Sequence, residues 1–226
     1  EEEEAAPGGI RRIVFDEGHH LFDAADSAFS GHLTALETAE LRRWIRGPEA
    51  ERRRGRGLSD RIGDLLGEDE TGQKLLQQVL RAAMALPGPG WTRRLQAGQP
   101  DGLAENFLSL VRNQVLARAE QNAGSGHTIE ADCLPLIDGL ADAAEELMGA
   151  LLDLKKPMSA LANALAKKLD EQAEDLSTYD RGRIEAISRS LKRRGELMVG
   201  AWVDMLKRLL EEKHLRHAER PAAGCS

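Results

Sequence analysis

The residues best suited to chemistry lie near the start of the chain, in Ile13-Val14-Phe15-Asp16-Glu17-Gly18-His19-His20-Leu21. An apolar, β-favouring run from Ile10 to Phe15 stops abruptly at two acids. In α/β nucleotide-binding sheets, ligands sit at that carboxyl edge of a strand. Asp16 suits a Mg2+ ion, held directly or through water, because Mg2+ prefers oxygen ligands and keeps several waters. Glu17 suits the residue that orients or deprotonates an attacking water in phosphoryl transfer. Gly18 permits a tight turn just after the strand. His19 is placed to hydrogen-bond a neighbouring segment and report nucleotide state. Two other readings stand beside this one. Acids are common at helix N-termini, where they complement the macrodipole. A metal site built from Asp16, His19 and His20 is the third reading, although adjacent histidines diverge and rarely ligate one ion together.

A basic segment is the second candidate. Arg42, Arg43, Arg46, Arg52, Arg53, Arg54, Arg56 and Arg61 face only Glu49, Glu51 and Asp60 in the same stretch. Trp44 sits among them. Arginine grips phosphate in a bidentate way and an exposed indole stacks a base, a pairing that suits single-stranded DNA. The plain alternative is a solvated loop with Trp44 turned into the core, and the core is the expectation for Trp44. Arg189, Lys192, Arg193 and Arg194 form a smaller cluster, read first as an exposed helix face and second as an extension of the positive surface. His127, His214 and His217 read as surface residues, Trp91 and Trp202 as core.

These residues need elements to hold them. Residues 1–9 read as a solvated acidic linker. Ile10 to Phe15 is the one convincing strand, and a lone strand cannot satisfy its own edges. A turn of helix is expected from His19 to about Ser30. Thr34-Ala-Leu-Glu37 has capping-box spacing, so a helix should run from there to Arg46 and end at Gly47-Pro48. A basic loop over 48–57 follows, then helices over 58–66, 69–86 and 102–121, with a turn around Trp91 and a flexible break at Gly124-Ser125-Gly126. The rest is expected to form three long helices, 133–155 stopping before Pro157, then 158–176 and 183–213. In the last, Ile184, Ile187, Leu191, Met198, Trp202, Met205 and Leu209 recur at helical spacing as a buried stripe. Residues 214–226 read as a frayed tail.

The whole-chain numbers agree with a helical reading. The chain has 226 residues, 31 Lys+Arg against 38 Asp+Glu, a net charge of −7, and only 4% aromatics. That acidity excludes coating of nucleic acid by bulk charge but permits a local basic patch. No apolar run is long enough to span a membrane. Cys133 and Cys225 lack paired zinc spacing and are too few for a disulfide framework. The N-terminus has neither an initiator Met nor the regions of a signal peptide. With the orphan strand, this leads to the expectation of a piece cut from a longer, cytoplasmic protein.

An apolar strand followed by Asp-Glu-X-His resembles the Walker B motif of superfamily 2 helicases, and Asp16-Glu17-Gly18-His19 resembles its DEAH type. The longer string VFDEGHHLFDAADSAF is similar to that of bacterial DinG-type helicases, relatives of XPD, with weaker likeness in LRRWIRGPE (Leu41–Glu49). In that family an all-helical Arch domain follows this motif. The resemblance implies a mainly α fold: an antiparallel helical bundle behind a short strand from a RecA-like ATPase lobe. It implies four parts: the 1–9 linker, a lobe remnant over 10–30, an Arch-like domain over 31–213, and the 214–226 tail. It implies an ATP-dependent 5′–3′ DNA helicase of bacterial DNA repair and recombination. Asp16 would hold Mg2+, Glu17 would activate water, and His19 would couple hydrolysis to DNA movement. Single-stranded DNA, ATP and the remaining helicase lobes are the implied partners. The chain departs from the family in lacking a Gly-x-x-x-x-Gly-Lys-Ser/Thr phosphate loop and a Ser-Ala-Thr motif. Its two cysteines do not match iron–sulfur ligands. Alone it is therefore expected not to hydrolyse ATP. A non-enzymatic helical interaction module is the alternative.

Overall fold

The computed structural model describes Gly18 and residues 32–49, 55–119, 129, 131–172 and 175–218, with side chains to residue 212. The chain divides into two compact units, Glu1–Gly31 and His32–Ser226. The expected strand over Ile10 to Phe15 lies outside the described residues. Among those described there is no strand, and helices dominate.

Helix α1 is Ala35–Arg46. The Thr34 hydroxyl accepts from the Glu37 amide at 3.1 Å, satisfying one orphan donor of the first turn. The same hydroxyl donates to the Glu37 carboxylate at 3.0 Å, so the acid returns to the cap's side chain. Gly47, at φ 82°, ends the helix in a conformation that favours glycine. A Cβ on Gly57 would lie 2.7 Å from the carbonyl carbon of Arg46 and from the amide of Gly47. Only glycine lets the two ends of this basic loop touch.

Helices α2 (Leu58–Leu66) and α3 (Glu70–Ala82) follow, the second extended by a 3-10 turn over Ala83–Ala85. Asp69 caps α3 by accepting from the Gly72 amide at 3.0 Å. The short α4 (Trp91–Gln96) and α5 (Leu103–Ala119) are joined by a buried ion pair. Glu105 has no exposed side-chain surface and accepts from Arg94 Nε at 2.8 Å and from the Asp101 amide at 3.0 Å.

Helix α6 (Leu140–Glu171) is the spine, packing against α3, α5 and everything C-terminal to it. Two expectations fail here. The helix starts at Leu140 rather than at Cys133. Pro135 disfavours helical backbone at Leu134 and has no amide to donate. The segment before α6 is tied down instead by Gln114, which donates to Cys133 O at 2.7 Å and accepts from the Ile137 amide at 3.0 Å. Nor does the helix stop before Pro157, which is buried inside it. Proline in a helix costs about 3 kcal/mol. Leu147, Leu151, Leu154, Met158, Leu161 and Leu165 form one buried stripe across that point. Each such side chain contributes about 1.5–3 kcal/mol, so the stripe outweighs the local loss.

Helix α7 (Thr178–Arg193) runs through a π-helical segment, Arg194–Val199, into α8 (Gly200–Ala218). Ser177 caps it, accepting from the Asp180 amide at 3.1 Å, so it begins earlier than Arg183. Helix α8, which ends at Ala218, extends into the expected tail. Ile184, Ile187, Leu191 and Trp202 of the anticipated stripe are buried, and Met198, Met205 and Leu209 pack half-buried against them. Ser188 donates to Ala162 O at 2.8 Å, and a Cβ on Gly195 would sit 3.6 Å from Met158. No helix among the described residues is long and apolar enough to cross a membrane.

Candidate nucleic-acid interface

The anticipated catalytic group is mostly outside this description. Asp16, Glu17, His19 and His20 all lie outside the described residues; Gly18 is exposed. Among the described residues no group of His, Cys, Asp and Glu could hold a metal ion. Cys133 is a free, exposed thiol.

The basic segment separates into residues with different tasks. Arg42 is only 12% exposed. Its guanidinium donates to Leu86 O at 2.7 Å, Met84 O at 3.1 Å and Glu49 Oε2 at 3.0 Å. Arg46 donates to Leu80 O at 2.8 Å and pairs with the other oxygen of Glu49. Both arginines therefore staple α1 to the end of α3. Burial opposes ionisation of Glu49, yet the hydrogen bonds from Arg46 and Arg42 prevail and hold its carboxyl below the usual range. Arg43 and Arg56 are exposed and make no ion pair among the described residues. Arg52, Arg53 and Arg54 lie outside the described residues.

Trp44 is half-buried: one part packs on the core, as expected, and its ring also receives cations. Arg61 lies 5.7 Å and Arg194 4.7 Å from the ring centroid. The two sequence-distant arginine clusters thus meet at one indole, a juxtaposition that no local spacing foretells. Arg189 pairs with Glu185, while Lys192 and Arg193 are exposed. Arg183 joins α7 to α2, donating to Asp64 at 2.8 Å and to Arg61 O at 2.7 Å.

Two surface cavities flank α1. One, about 460 Å³, is lined by Leu36, Arg42, Arg43, Pro87, Pro89 and Trp91 among others. Trp91 was expected in the core; it is half-buried here, because the Gly88-Pro89-Gly90 turn sets it at the start of a six-residue helix with no buried residue. Trp202 is the core tryptophan, 2% exposed, and its indole donates to His32 O at 2.8 Å. The other cavity, about 430 Å³, is lined by Ser190, Arg193, Arg194, Met198 and Trp202, with His32 and Glu37 also contributing. The arrangement offers exposed or part-exposed guanidinium groups near aromatic rings, chemistry suited to phosphate and base rather than to bond-making. No family model, no curated protein and no solved structure matches this chain.

Proposed function

We propose that this chain is part of an ATP-dependent 5′–3′ DNA helicase of the DinG/XPD type, acting in bacterial DNA repair and recombination. The observation that carries the reading is the string VFDEGHHLFDAADSAF followed by an all-helical region. The helical region is an Arch-like antiparallel bundle that guides single-stranded DNA. The stepwise pairing of Ser188 with Ala162, Gly195 with Met158 and Gly200 with Lys155 supports the antiparallel order. Asp16 offers the carboxylate oxygen that Mg2+ prefers, and the ion would neutralise charge on the ATP phosphates. Glu17 would orient or deprotonate the attacking water and His19 would couple hydrolysis to DNA movement. The phosphate loop comes from the remaining helicase lobes, so the chain alone does not turn over ATP in a bacterial cytoplasm. Arg43, Arg52, Arg53, Arg54 and Arg56 are the arginines assigned to the DNA strand; Arg42 and Arg46, first grouped with them, act through the staple to α3.

The test is Glu17→Gln in the intact enzyme. Hydrolysis is abolished while ATP binding is spared, measured as turnover and as equilibrium nucleotide binding. Normal turnover would reject the water-activating role. A second reading, a helical interaction module without catalysis, is favoured by one feature. The 460 Å³ cavity joins Leu36, 61% exposed, to prolines and Trp91, a surface that suits an apolar partner segment.

A further inference from the structure

Arg61 and Arg194 come from different helices, yet both lie over the Trp44 ring. Among the described residues neither guanidinium has a carboxylate within ion-pair distance. Among the described residues, Arg194 Nε donates to Ser190 Oγ at 3.3 Å and Arg61 Nε to Arg56 O at 3.1 Å. Arg193 stands beside them, exposed and equally without an ion pair. Burial first, then the charges of Arg193 and Arg61, weaken the hold of Arg194 on its proton, with Glu40 acting the other way. Like charges gathered in a partly desolvated place cost free energy, and a bound anion relieves that cost.

The backbone supplies an independent observation. Arg194 opens the π-helical segment, and such a turn shifts the register of every side chain after it. Arg193, the last residue before that segment, and Arg194, its first, both line the 430 Å³ cavity. Glu37 lines it too, its carboxylate accepting from the Thr34 hydroxyl at 3.0 Å, and its single negative charge is outnumbered there by Arg193 and Arg194. A purely structural cation–π clamp would explain Arg61 and Arg194; it would leave Arg193 and the cavity without a role.

We infer that the cavity at the π-turn is a phosphate-binding site, gripped by Arg193 and Arg194, with the Trp44 ring holding Arg194 in place and the nearby Arg61 adding to the positive charge. Its ligand is a phosphate group, carried either by a nucleic-acid strand or by a small phosphorylated molecule. For the strand, the inference rests on the nucleic-acid reading above and adds a second contact to the loop arginines. Guanidinium forks match phosphate oxygens in pairs, whereas an isolated lysine would offer only a point charge.

The experiment uses the whole chain, the double variant Arg193→Gln/Arg194→Gln, and Arg189→Gln as a control already paired with Glu185. The probes are a fluorescein-labelled oligothymidylate, read by anisotropy across salt, and inorganic pyrophosphate, read by its shift of the melting temperature. The double variant should bind the oligothymidylate roughly tenfold more weakly, with its salt slope reduced by about 0.7 for each lost contact. The control should match wild type. If wild type binds only pyrophosphate, and the double variant loses that shift, the site stands with a small ligand and the nucleic-acid reading fails. If the double variant binds the oligothymidylate as wild type does and keeps the pyrophosphate shift, the site is overturned and the nucleic-acid reading survives; if it loses only the pyrophosphate shift, the site stands with a small ligand. If neither probe distinguishes the two proteins, the site is equally overturned. Should the double variant fail to fold, Arg193→Gln alone removes one exposed grip without touching the core, and an unchanged salt slope there overturns the proposal.

Discussion

Replacing Arg42 with Gln separates structural from strand-contacting arginines. Arg42 holds Leu86 O, which belongs to a residue 2% exposed, and Met84 O, which water can reach. Losing the partner of a buried carbonyl costs about 1–3 kcal/mol, whereas a rehydrated one costs little. Glu49 keeps Arg46, so the lost ion pair adds only about 0.5–1 kcal/mol. The variant should therefore be destabilised by about 2–3 kcal/mol at neutral pH. For a chain of this size each kcal/mol lowers the melting temperature by about 2–4 °C, so the drop is about 5–10 °C. Acid should narrow the gap. The Glu49 carboxyl is held below its usual range, so its contribution is complete above the unfolded pKa and disappears as pH falls through the folded one. Urea denaturation read by circular dichroism at neutral and acidic pH measures both effects, with anisotropy reporting oligonucleotide affinity. Arg43→Gln, at an exposed position, should stay within about 0.5 kcal/mol of wild type in stability. If Arg42→Gln keeps its stability and loses DNA affinity as Arg43→Gln does, the staple is wrong.

Two further outcomes are expected. Arg94→Met strands the fully buried Glu105 carboxylate without its cation; breaking a buried pair costs about 3–5 kcal/mol, reduced here to about 2–3 because Arg94 is 29% exposed. Burial opposes ionisation of Glu105, but Arg94 and the Asp101 amide outweigh it. The wild-type advantage is thus present above the ordinary Glu range and lost on acidification, as a urea series against pH would show. Charge reversal of Arg52, Arg53 and Arg54 together should weaken single-strand binding and flatten its salt dependence. Unchanged binding would remove the basic loop from the DNA path.

Local signals in the sequence translate directly into local structure. The Thr34 cap, the stop at Gly47 and the helix over Leu58–Leu66 depend on neighbours in the chain, and all are found where spacing puts them. The stripe from Ile184 to Leu209 is equally local; Ile184, Ile187, Leu191 and Trp202 are buried, and Met198, Met205 and Leu209 pack half-buried against them. What escapes is tertiary. Pro157 signals a break by its own chemistry, but the apolar stripe on both sides decides otherwise. Arg42 and Arg46 look like solvent-facing charges until the carbonyls of α3 and the following turn come within reach. Trp91 and Trp202 are the same residue type; only the fold leaves Trp91 half-buried on a short helix and buries Trp202 to 2% exposure. The meeting of Arg61 and Arg194 at Trp44 has no sequence signature, since each cluster alone reads as a solvated helix face or loop.

Single-stranded DNA binding by the purified chain, measured by fluorescence anisotropy at low and moderate salt, bears most directly on the central claim. Binding that weakens steeply with salt is the predicted result, because released counterions drive contacts between arginine and phosphate. Absence of binding at low salt would contradict the assignment of this helical surface to the DNA path and would favour the interaction module.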